Sequence, residues 1–265
     1  MRGLVGVLVR AIVAGSLALT GVVADHGTAQ AGLLPRPFPV PLRIAVFGDS
    51  SGLMTARGLI DWAAANPGVI VIEDGAVYYG CGLVRDGEFR HAGRVRPLDG
   101  CGPLPEQWSR ALAGTSAHVA LIQVGPIEVD DHLLPGDAVW RAPGDPVFDT
   151  FLQQKMIEAV DLVLAHGVTP VWVTSPHIEP PDGDVSRDPA RTDRFNELLR
   201  GVQRVRPQLR IVDLARFVQT WPRGELDPLL RPDGVHFDRA MVSAFVAPWL
   251  VSAIRRALND VPRPR

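Results

Sequence analysis

A serine near the amino end of the chain and a histidine near its carboxyl end have neighbours that suit acyl-transfer chemistry. Ser50 lies in the segment Gly48–Ser51 (Gly-Asp-Ser-Ser), directly after a short apolar run, and His236 closes the segment Asp233–His236 (Asp-Gly-Val-His). A serine hydroxyl that attacks an acyl group requires a base to take its proton and a carboxylate to orient that base. The two segments together therefore predict a triad of Ser50, His236 and Asp233.

Each segment taken alone also has a structural interpretation. A strand followed by Gly-Asp-Ser and a helix is an ordinary capped turn, since aspartate and serine are common residues at helix N-termini. Likewise, Pro232-Asp233-Gly234 is typical of a turn, after which a histidine can serve as a cap. For either segment in isolation the structural interpretation is the better one, and only their combination favours a catalytic site.

Strands and helices alternate along the chain from residue 43 to residue 259. Buried parallel strands form short continuous apolar runs, whereas amphipathic helices repeat their apolar residues every three or four positions. The pattern predicts an α/β fold, a single domain built on a doubly wound five-stranded parallel sheet. The predicted strands are Ile44–Phe47, Val69–Glu73, His118–Gln123, Thr169–Thr174 and Leu209–Leu214, and the predicted helices are Leu53–Ala65, Pro105–Ala113, Pro146–His166, Ala190–Val205 and Arg239–Leu258.

In such a sheet, right-handed crossovers place the carboxyl ends of all parallel strands at one edge, which is where ligands bind. Backbone N–H groups at a helix N-terminus also point to that edge and can hold an oxyanion. Five residues follow strands or lie in loops that can reach it: Ser50, Gly80, Gly125, His177 and His236. His177 has two interpretations, a residue that lines the pocket or, as is commoner for a loop histidine, a surface or packing residue.

Two long segments between the predicted strands lack a clear periodicity. Asp74–Gly102 holds both cysteines, and its turn Gly80-Cys81-Gly82 can bring backbone N–H groups close to Ser50. Asp130–Asp145 is acidic, and it is equally typical of a lid over the site and of an inert surface insertion. Long loops inside a compact domain are usually functional or tied down.

The amino-terminal residues have the features of an export signal. Arg2 and Arg10 give the amino end a positive charge. The apolar run Ala11–Ala24 is short for a membrane span, and Ala29-Gln30-Ala31 is a small-x-small cleavage pattern. We predict a secreted protein, cleaved after Ala31, without a stable membrane span after processing; the alternative is an uncleaved amino-terminal anchor. The predicted divisions are a signal peptide over residues 1–31, a Pro-rich lead-in over 32–42, the domain over 43–259 and a disordered tail over 260–265.

The cysteine content agrees with export. The chain has two cysteines, Cys81 and Cys101, which an oxidising compartment would allow to pair. They form neither a Cys-x-x-Cys redox motif nor part of a Cys/His cluster for zinc. The sequence therefore predicts a structural disulfide between Cys81 and Cys101.

Composition restricts the classes of partner. The 265 residues are 46% hydrophobic and carry a net charge of −2, whereas a nucleic-acid-binding protein usually needs a basic face. The loop Gly48–Gly52 lacks the Gly-Lys-Ser/Thr ending of a phosphate-binding loop, and no cluster of metal ligands is evident. We therefore predict a monomer that acts on a small-molecule or carbohydrate ester, with no nucleic-acid partner, no metal and no cofactor.

The end motifs resemble the SGNH (GDSL-like) hydrolase superfamily. Gly48–Ser51 matches the first motif, with serine in place of leucine, and Asp233–His236 matches the last motif, Asp-x-x-His. Gly80 or Gly82 can supply the glycine of the second motif. The similarity covers most of residues 43–256 and implies a flavodoxin-like sheet and chemistry on esters.

The middle motifs resemble SGNH domains associated with bacterial acyltransferase-3 membrane proteins more closely. Those domains have a Gly-Cys-Gly second block, a later partner cysteine and a Gly-x-Trp-Glu third block. Here Gly80–Gly82, Cys101 and Gly125–Glu128 are similar, with Ile127 in place of the tryptophan. This resemblance implies esterase or acyl-transfer chemistry on the O-acyl groups of carbohydrates.

The resemblance also implies an oxyanion hole that lacks one donor. In the wider superfamily the third motif is Gly-x-Asn; Gly125 matches its glycine, but Ile127 replaces the asparagine whose side chain holds the oxyanion. The backbone N–H groups of Ser50 and of Gly80 or Gly82 remain. Losing one such donor typically costs about 2.7–4 kcal/mol, or roughly 10²–10³ in rate.

The function predicted from these residues is an exported serine esterase. The alternatives are an O-acyltransferase with the same triad and a catalytically weakened relative that binds carbohydrate. Glu128 is assigned no catalytic role, because a carboxylate near the site would repel an oxyanion; it could instead hold an arginine or the disulfide loop.

Overall fold

The computed structural model describes residues 41–91, 93–180 and 184–260. The predicted signal peptide and its cleavage site lie outside these residues, as do most of the lead-in and all of the predicted tail except Asp260. The strands are β1 (Leu42–Gly48), β2 (Ile70–Val77), β3 (Glu88–His91), β4 (Arg94–Pro97), β5 (Val119–Gln123), β6 (Asp131–Leu133), β7 (Thr169–Val173) and β8 (Arg210–Val212). The helices are α1 (Ser50–Ala65), α2 (Leu104–Gly114), α3 (Pro146–Ala165), α4 (Pro189–Val205), α5 (Leu214–Val218) and α6 (Arg239–Asn259).

Five of these strands form one parallel sheet in the order β2-β1-β5-β7-β8. Every neighbouring pair is parallel, so the chain crosses from strand to strand through the intervening helices. The predicted five-stranded doubly wound sheet is therefore confirmed. Because β1 lies between β2 and β5, the residues that follow it emerge near the middle of the carboxyl edge.

Alternation along β1 shows how the sheet separates two hydrophobic cores. Ile44 and Val46 face a core that includes residues of α1 and α6, whereas Ala45 and Phe47 face the core that contains Trp108 of α2 and residues of α3 and α4. Successive side chains of a strand point to opposite faces, and both faces are covered by helices. This double burial explains why the strands appear in the sequence as unbroken apolar runs.

A second sheet was not predicted. The strands β3, β4 and β6 form a small antiparallel sheet in the order β4-β3-β6, built from the segments Asp74–Gly102 and Asp130–Asp145 that the sequence had suggested were irregular. A further bridge joins His132 to Arg141. All four residues of β4 are exposed, so the strand has no buried face and no apolar alternation to reveal it.

The closing helix α6 packs along the first core. Its residues Val242–Val246 form a π-helical turn, where Val242 fits against Gly58 of α1 so closely that a side chain at position 58 would overlap it. By length and composition α6 could cross a membrane. Its apolar residues Leu250 and Ile254 are fully buried, however, as expected of a helix that covers a sheet.

Candidate active site

Ser50 is placed by the turn between β1 and α1. Asp49 caps the helix: its Oδ1 accepts the Ser51 N–H at 2.8 Å, and its Oδ2 accepts the Gly125 N–H at 3.2 Å. Gly48 has φ +147°, and a Cβ there would overlap the carbonyl oxygen of Gln123. The glycine thus lets β1 turn sharply beside β5, and Ser50 becomes the first residue of α1 at the carboxyl edge of the sheet.

The structure brings the three residues of the predicted triad into one hydrogen-bonded chain. The Oγ of Ser50 lies 2.7 Å from Nε2 of His236, although the two residues are 186 positions apart. The Nδ1 of the same ring lies 2.7 Å from Oδ2 of Asp233. With Nδ1–H donating to the carboxylate, Nε2 is free to accept the serine proton, which is the arrangement that a general base requires.

The short segment between Asp233 and His236 is held by its own aspartate. The Oδ1 of Asp233 accepts the N–H groups of Val235 at 2.9 Å and of His236 at 2.6 Å. Gly234 has φ +71°, and a Cβ there would overlap the carbonyl oxygen of Glu179. Desolvation opposes ionisation of Asp233, but the hydrogen bonds from the His236 ring and from these N–H groups outweigh it and lower its pKa.

Arg231 packs against the loop that carries His236, and it was not singled out from the sequence. Its side chain is buried, its Nε and Nη2 donate to the carbonyl oxygen of Val235 at 3.1 and 2.7 Å, and its Nη1 donates to the carbonyl oxygen of His177. Burial lowers its pKa to about 10, against the attraction of Glu225 and Asp233, so it remains charged at neutral pH. The guanidinium therefore fixes the backbone next to His236.

The second block reaches the nucleophile because β2 ends four residues later than predicted, at Val77 rather than Glu73. Gly75 lies so close to β1 that a Cβ would overlap the carbonyl oxygen of Val46, and the strand continues to Val77. The Tyr78 N–H then donates to the carbonyl oxygen of Gly48, two residues before Ser50, at 3.0 Å. The turn that follows Tyr78 contains Gly80 and Gly82.

Backbone donors are free in this region. No hydrogen bond within the described part of the chain uses the N–H of Ser50, Gly80 or Gly82 as its donor. The Ser50 N–H also belongs to the first turn of α1, where N–H groups lack helical partners and favour negative charge. These are the backbone groups that the sequence proposed for the oxyanion hole.

The disulfide and Glu128 hold the second block in place. Cys81 and Cys101 are bonded, which confirms the predicted disulfide. The Oε1 of the fully buried Glu128 accepts the Leu83 N–H. A Cβ at Gly82 would lie 2.6 Å from Oε2 of this carboxylate and nearer still to Oε1. Glu128 therefore packs in the space that the missing side chain of Gly82 leaves.

Two acids of this region, Asp49 next to Ser50 and Glu128, are fully buried. Burial, together with the charge of Glu128, raises the pKa of Asp49 to about 7 despite N–H bonds from Ser51, Gly125 and Gly52. Burial likewise raises the pKa of Glu128, opposed by the Leu83 N–H and by the charge of Arg85. At neutral pH the pair therefore carries less than two full negative charges, which limits its repulsion of an oxyanion.

The three residues proposed to line a pocket occupy different surroundings. Gly125 borders a cavity of about 20 Å³ beside Ser51, with room for roughly one water molecule. Ile127 is buried in the apolar core and presents no hydrogen-bond donor from its side chain. The ring of His177 is turned to two acids, with Nδ1 2.8 Å from Glu225 and Nε2 3.0 Å from Asp193.

Tyr79 is an exposed residue beside the triad that sequence reasoning missed. Its ring is 75% exposed, and its centroid lies 6.1 Å from that of His236 at an interplanar angle of 23°. An exposed aromatic ring is a surface on which a sugar or an aryl group can pack. A larger cavity of about 390 Å³ lies elsewhere, between the disulfide loop and α3, and none of the triad residues lines it.

Comparisons with known proteins identify the fold. No protein-family model matches the sequence, and no curated protein matches it. Among solved structures, an α/β hydrolase enzyme from the metagenome of Lake Arreo, Spain, is 17% identical, over 84% of this chain and 99% of that chain, with a TM-score of 0.52. A GDSL-like lipase from Bacteroides thetaiotaomicron VPI-5482 is 13% identical, over 82% and 87% of the chains, with a TM-score of 0.50. The psychrotrophic esterase EstA from Pseudoalteromonas sp. is 15% identical, over 82% and 99%, with a TM-score of 0.51.

Identities this low establish a shared fold and nothing finer. The chain has the α/β fold of GDSL-like hydrolases, as the end motifs implied. The closer similarity to domains associated with acyltransferase-3 proteins stays a prediction.

Proposed function

We propose that the protein is an exported serine esterase that hydrolyses O-acyl groups, with Ser50 as nucleophile, His236 as general base and Asp233 as its orienting carboxylate. The observation that carries the proposal is the unbroken chain of 2.7 Å contacts from the Ser50 hydroxyl through the His236 ring to Asp233. The shared fold with esterases and a GDSL-like lipase supports the same reaction class.

The first half of the reaction forms an acyl-enzyme. The Ser50 Oγ adds to the ester carbonyl carbon while His236 Nε2 takes the hydroxyl proton, and the carbonyl oxygen becomes an oxyanion. When the intermediate collapses, the ester C–O bond breaks and His236 returns the proton to the departing alcohol. Asp233 stabilises the imidazolium that exists between these two transfers.

The second half releases the acid. Water adds to the acyl carbon of the Ser50 ester with His236 Nε2 as base, and the carboxylic acid leaves as the proton returns to the Ser50 oxygen. In both halves the backbone N–H groups of Ser50 and of Gly80 or Gly82 stabilise the oxyanion. Since Ile127 offers no side-chain donor, we expect slower turnover than in an enzyme with an asparagine there, by roughly 10²–10³.

Carbohydrate esters are the proposed substrates, and the protein is proposed to be secreted. The exposed Tyr79 ring beside His236 suits a sugar, and the similarity of the Gly80–Gly82 and Gly125–Glu128 blocks to acyltransferase-3-associated domains supports O-acyl groups. The Cys81–Cys101 disulfide supports export, because such bonds persist in oxidising compartments. If a sugar hydroxyl replaced water in the second half, the same residues would perform acyl transfer.

A carbohydrate-binding protein with little activity is the second candidate, and the apolar side chain of Ile127 is the observation that favours it. A fluorophosphonate probe separates the two functions, because only a serine activated by its base reacts rapidly. A phosphonate is also the inhibitor bound in a structure of the Pseudoalteromonas esterase. We expect the probe to label Ser50 and p-nitrophenyl acetate to be hydrolysed.

The matched variants are Ser50→Ala and Ser51→Ala, which remove neighbouring hydroxyls. Ser50→Ala should lose both labelling and turnover with little change in melting temperature, whereas Ser51→Ala should still be labelled. Turnover that persists in a folded Ser50→Ala protein would exclude Ser50 from the mechanism. Absence of labelling in the wild-type protein would favour the binding function.

A further inference from the structure

A second cluster of chemically capable side chains lies outside the Ser50–His236–Asp233 group. His91 ends β3, Asp130 directly precedes β6, and Asp184 caps the short helical turn Val185–Arg187. One ring nitrogen of His91 and one carboxylate oxygen of each aspartate lie within 4.8 Å of one another. Three segments that are distant in sequence thus converge on one point.

The two carboxylates are buried, unlike those of an ordinary surface cluster. Asp130 and Asp184 are 1% and 8% exposed. Burying two acids side by side is unfavourable unless positive charge compensates them. His91 contacts the cluster through Nδ1, which lies 3.2 Å from Oδ2 of Asp130, and Oδ1 of Asp184 accepts the Ser186 N–H at 2.9 Å.

A fourth polar group faces the same cluster. Ser186 is 1% exposed, and its hydroxyl lies beside the Asp130 carboxylate without making a hydrogen bond of normal geometry in the described part of the chain. Buried hydroxyl groups nearly always have a partner. The Ser186 oxygen is therefore a fourth candidate ligand, located beside the Asp130 carboxylate.

We propose that His91, Asp130 and Asp184, together with the Ser186 hydroxyl, bind a divalent transition-metal ion such as Zn²⁺ or Mn²⁺. One imidazole with carboxylate and hydroxyl oxygens is a donor set for these ions, whereas Ca²⁺ and Mg²⁺ prefer oxygen alone. Bonds of 2.0–2.2 Å place neighbouring ligands of a tetrahedral ion about 3.3 Å apart. The observed separation of 3.2 Å between His91 and Asp130 agrees with that value.

The ion would serve a structural purpose that is independent of the proposed hydrolysis. It would join the β3–β4 hairpin, the segment that follows the Gly125–Glu128 block, and the turn that precedes α4. Coordination requires that Nδ1 of His91 carry no proton, so an ion bound there would replace the contact between this nitrogen and Asp130. Metal binding would thereby add to the stability of the small antiparallel sheet.

His177 provides an internal comparison, since it also contacts two acids. Its Nδ1 faces Glu225 and its Nε2 faces Asp193, so the two carboxylates lie on opposite sides of the ring. They cannot share one ion with this histidine. A His177 variant is therefore a matched control, because it removes a histidine that contacts two acids but cannot bind one metal ion together with both of them.

Isothermal titration of the chelator-treated protein with ZnCl₂ tests the proposal, with MnCl₂ and CaCl₂ as parallel titrants. We expect one equivalent of Zn²⁺ to bind and to raise the melting temperature, and CaCl₂ to give no comparable binding. Asp130→Asn and Asp184→Asn, which keep side-chain size, should each weaken binding at least about tenfold. His177→Gln should bind as the wild-type protein does, and so should His236→Ala, which removes any Zn²⁺ held by the triad.

Failure of the wild-type protein to bind Zn²⁺ or Mn²⁺ would overturn the proposal, and so would unchanged affinity in folded Asp130→Asn and Asp184→Asn proteins. If both variants fail to fold, X-ray absorption of the Zn²⁺-loaded His236→Ala protein, which lacks the triad imidazole, decides. One imidazole among oxygen ligands supports the site, and any other ligand set overturns it. Esterase activity does not enter this test, so its result is separate from that of the proposed function.

Discussion

Gly82→Ala should disturb both the stability of the protein and its proposed oxyanion hole. A Cβ at position 82 would lie 2.5 Å from Cδ and 2.6 Å from Oε2 of Glu128, well below the 3.0 Å that real Cβ contacts respect. Glu128 is fully buried and accepts the Leu83 N–H, so its side chain is not free to move into solvent. Either this carboxylate or the Gly80–Leu83 segment must therefore shift.

The expected magnitude follows from these two contacts. Inserting a methyl group into a packed interior typically costs 1–3 kcal/mol, and losing a hydrogen bond to a charged group costs roughly 1.5–3 kcal/mol. The Gly82→Ala protein should thus lose about 2–6 kcal/mol of its free energy of unfolding. Because the N–H of residue 82 moves with the segment, kcat for p-nitrophenyl acetate should also fall, by up to the roughly 10²–10³ assigned to one oxyanion donor.

Urea unfolding and steady-state kinetics measure both effects, with Gly100→Ala as the control. Gly100 lies in the same disulfide loop, but a Cβ there meets nothing within 4 Å, so stability should change by no more than about 0.5 kcal/mol. Glu128→Ala vacates the space that the new methyl needs, so a double-mutant cycle should give a coupling of at least about 1 kcal/mol. A Gly82→Ala protein as stable as wild type, or strictly additive effects, would refute this packing argument.

Two further predictions concern the disulfide and the buried acid. Reducing the Cys81–Cys101 bond frees a loop with a sequence separation of 20 residues. The free energy of unfolding should therefore fall by about 3 kcal/mol and the melting temperature by several degrees. An unchanged calorimetric transition would contradict this prediction. The pKa of Asp49 is about 7 in the folded protein against an ordinary 3.8, so the folded state binds this proton more tightly than the unfolded state does. The free energy of unfolding should therefore decline as the pH rises between these two values, with a slope of up to about 1.4 kcal/mol per pH unit. Urea unfolding at pH 4.5–7.5 should show this slope in wild type and a flatter one in Asp49→Asn, whereas parallel curves would exclude Asp49 as its source.

The parallel sheet could be predicted because each strand is buried on both faces. Ile44–Phe47 and His118–Gln123 are mostly apolar runs, as expected of strands that are covered on both faces. The first lies inside β1, and the second begins one residue before β5 and ends with it. The meeting of Ser50 with His236 could be predicted from residue types combined with topology, since Ser50 follows β1 and the loop that carries His236 can reach the same edge of the sheet. The disulfide was predicted from the two cysteines together with the predicted export signal.

The antiparallel sheet could not be predicted because its strands lack the pattern on which such a prediction depends. Arg94–Pro97 is exposed at every position, and Glu88–His91 has a single buried residue, Phe89. Pairing with Asp131–Leu133 arises from tertiary contacts, which local propensity does not encode. The convergence of His91 with Asp130 and Asp184 depends on this sheet and was hidden for the same reason.

Buried charges were the other part that the sequence did not reveal. Arg231 precedes a Pro-Asp-Gly turn, where an arginine is ordinarily exposed, yet it is buried under the loop of His236. Its burial is explained by the three hydrogen bonds that it donates to the carbonyl oxygens of Val235 and His177. Which side chain donates to which buried backbone carbonyl can be determined only once the positions of the loops are known.

In the proposed mechanism, the replacement of asparagine by Ile127 changes which perturbations should matter for catalysis. A side-chain donor is positioned by its own rotamer, whereas the N–H groups of Ser50 and Gly82 are positioned by whatever holds the backbone. Here that support is the Asp49 cap, the disulfide and Glu128, none of which needs to touch the substrate. Disturbing this support weakens an interaction made only in the transition state, so the loss should appear in kcat and leave KM nearly unchanged.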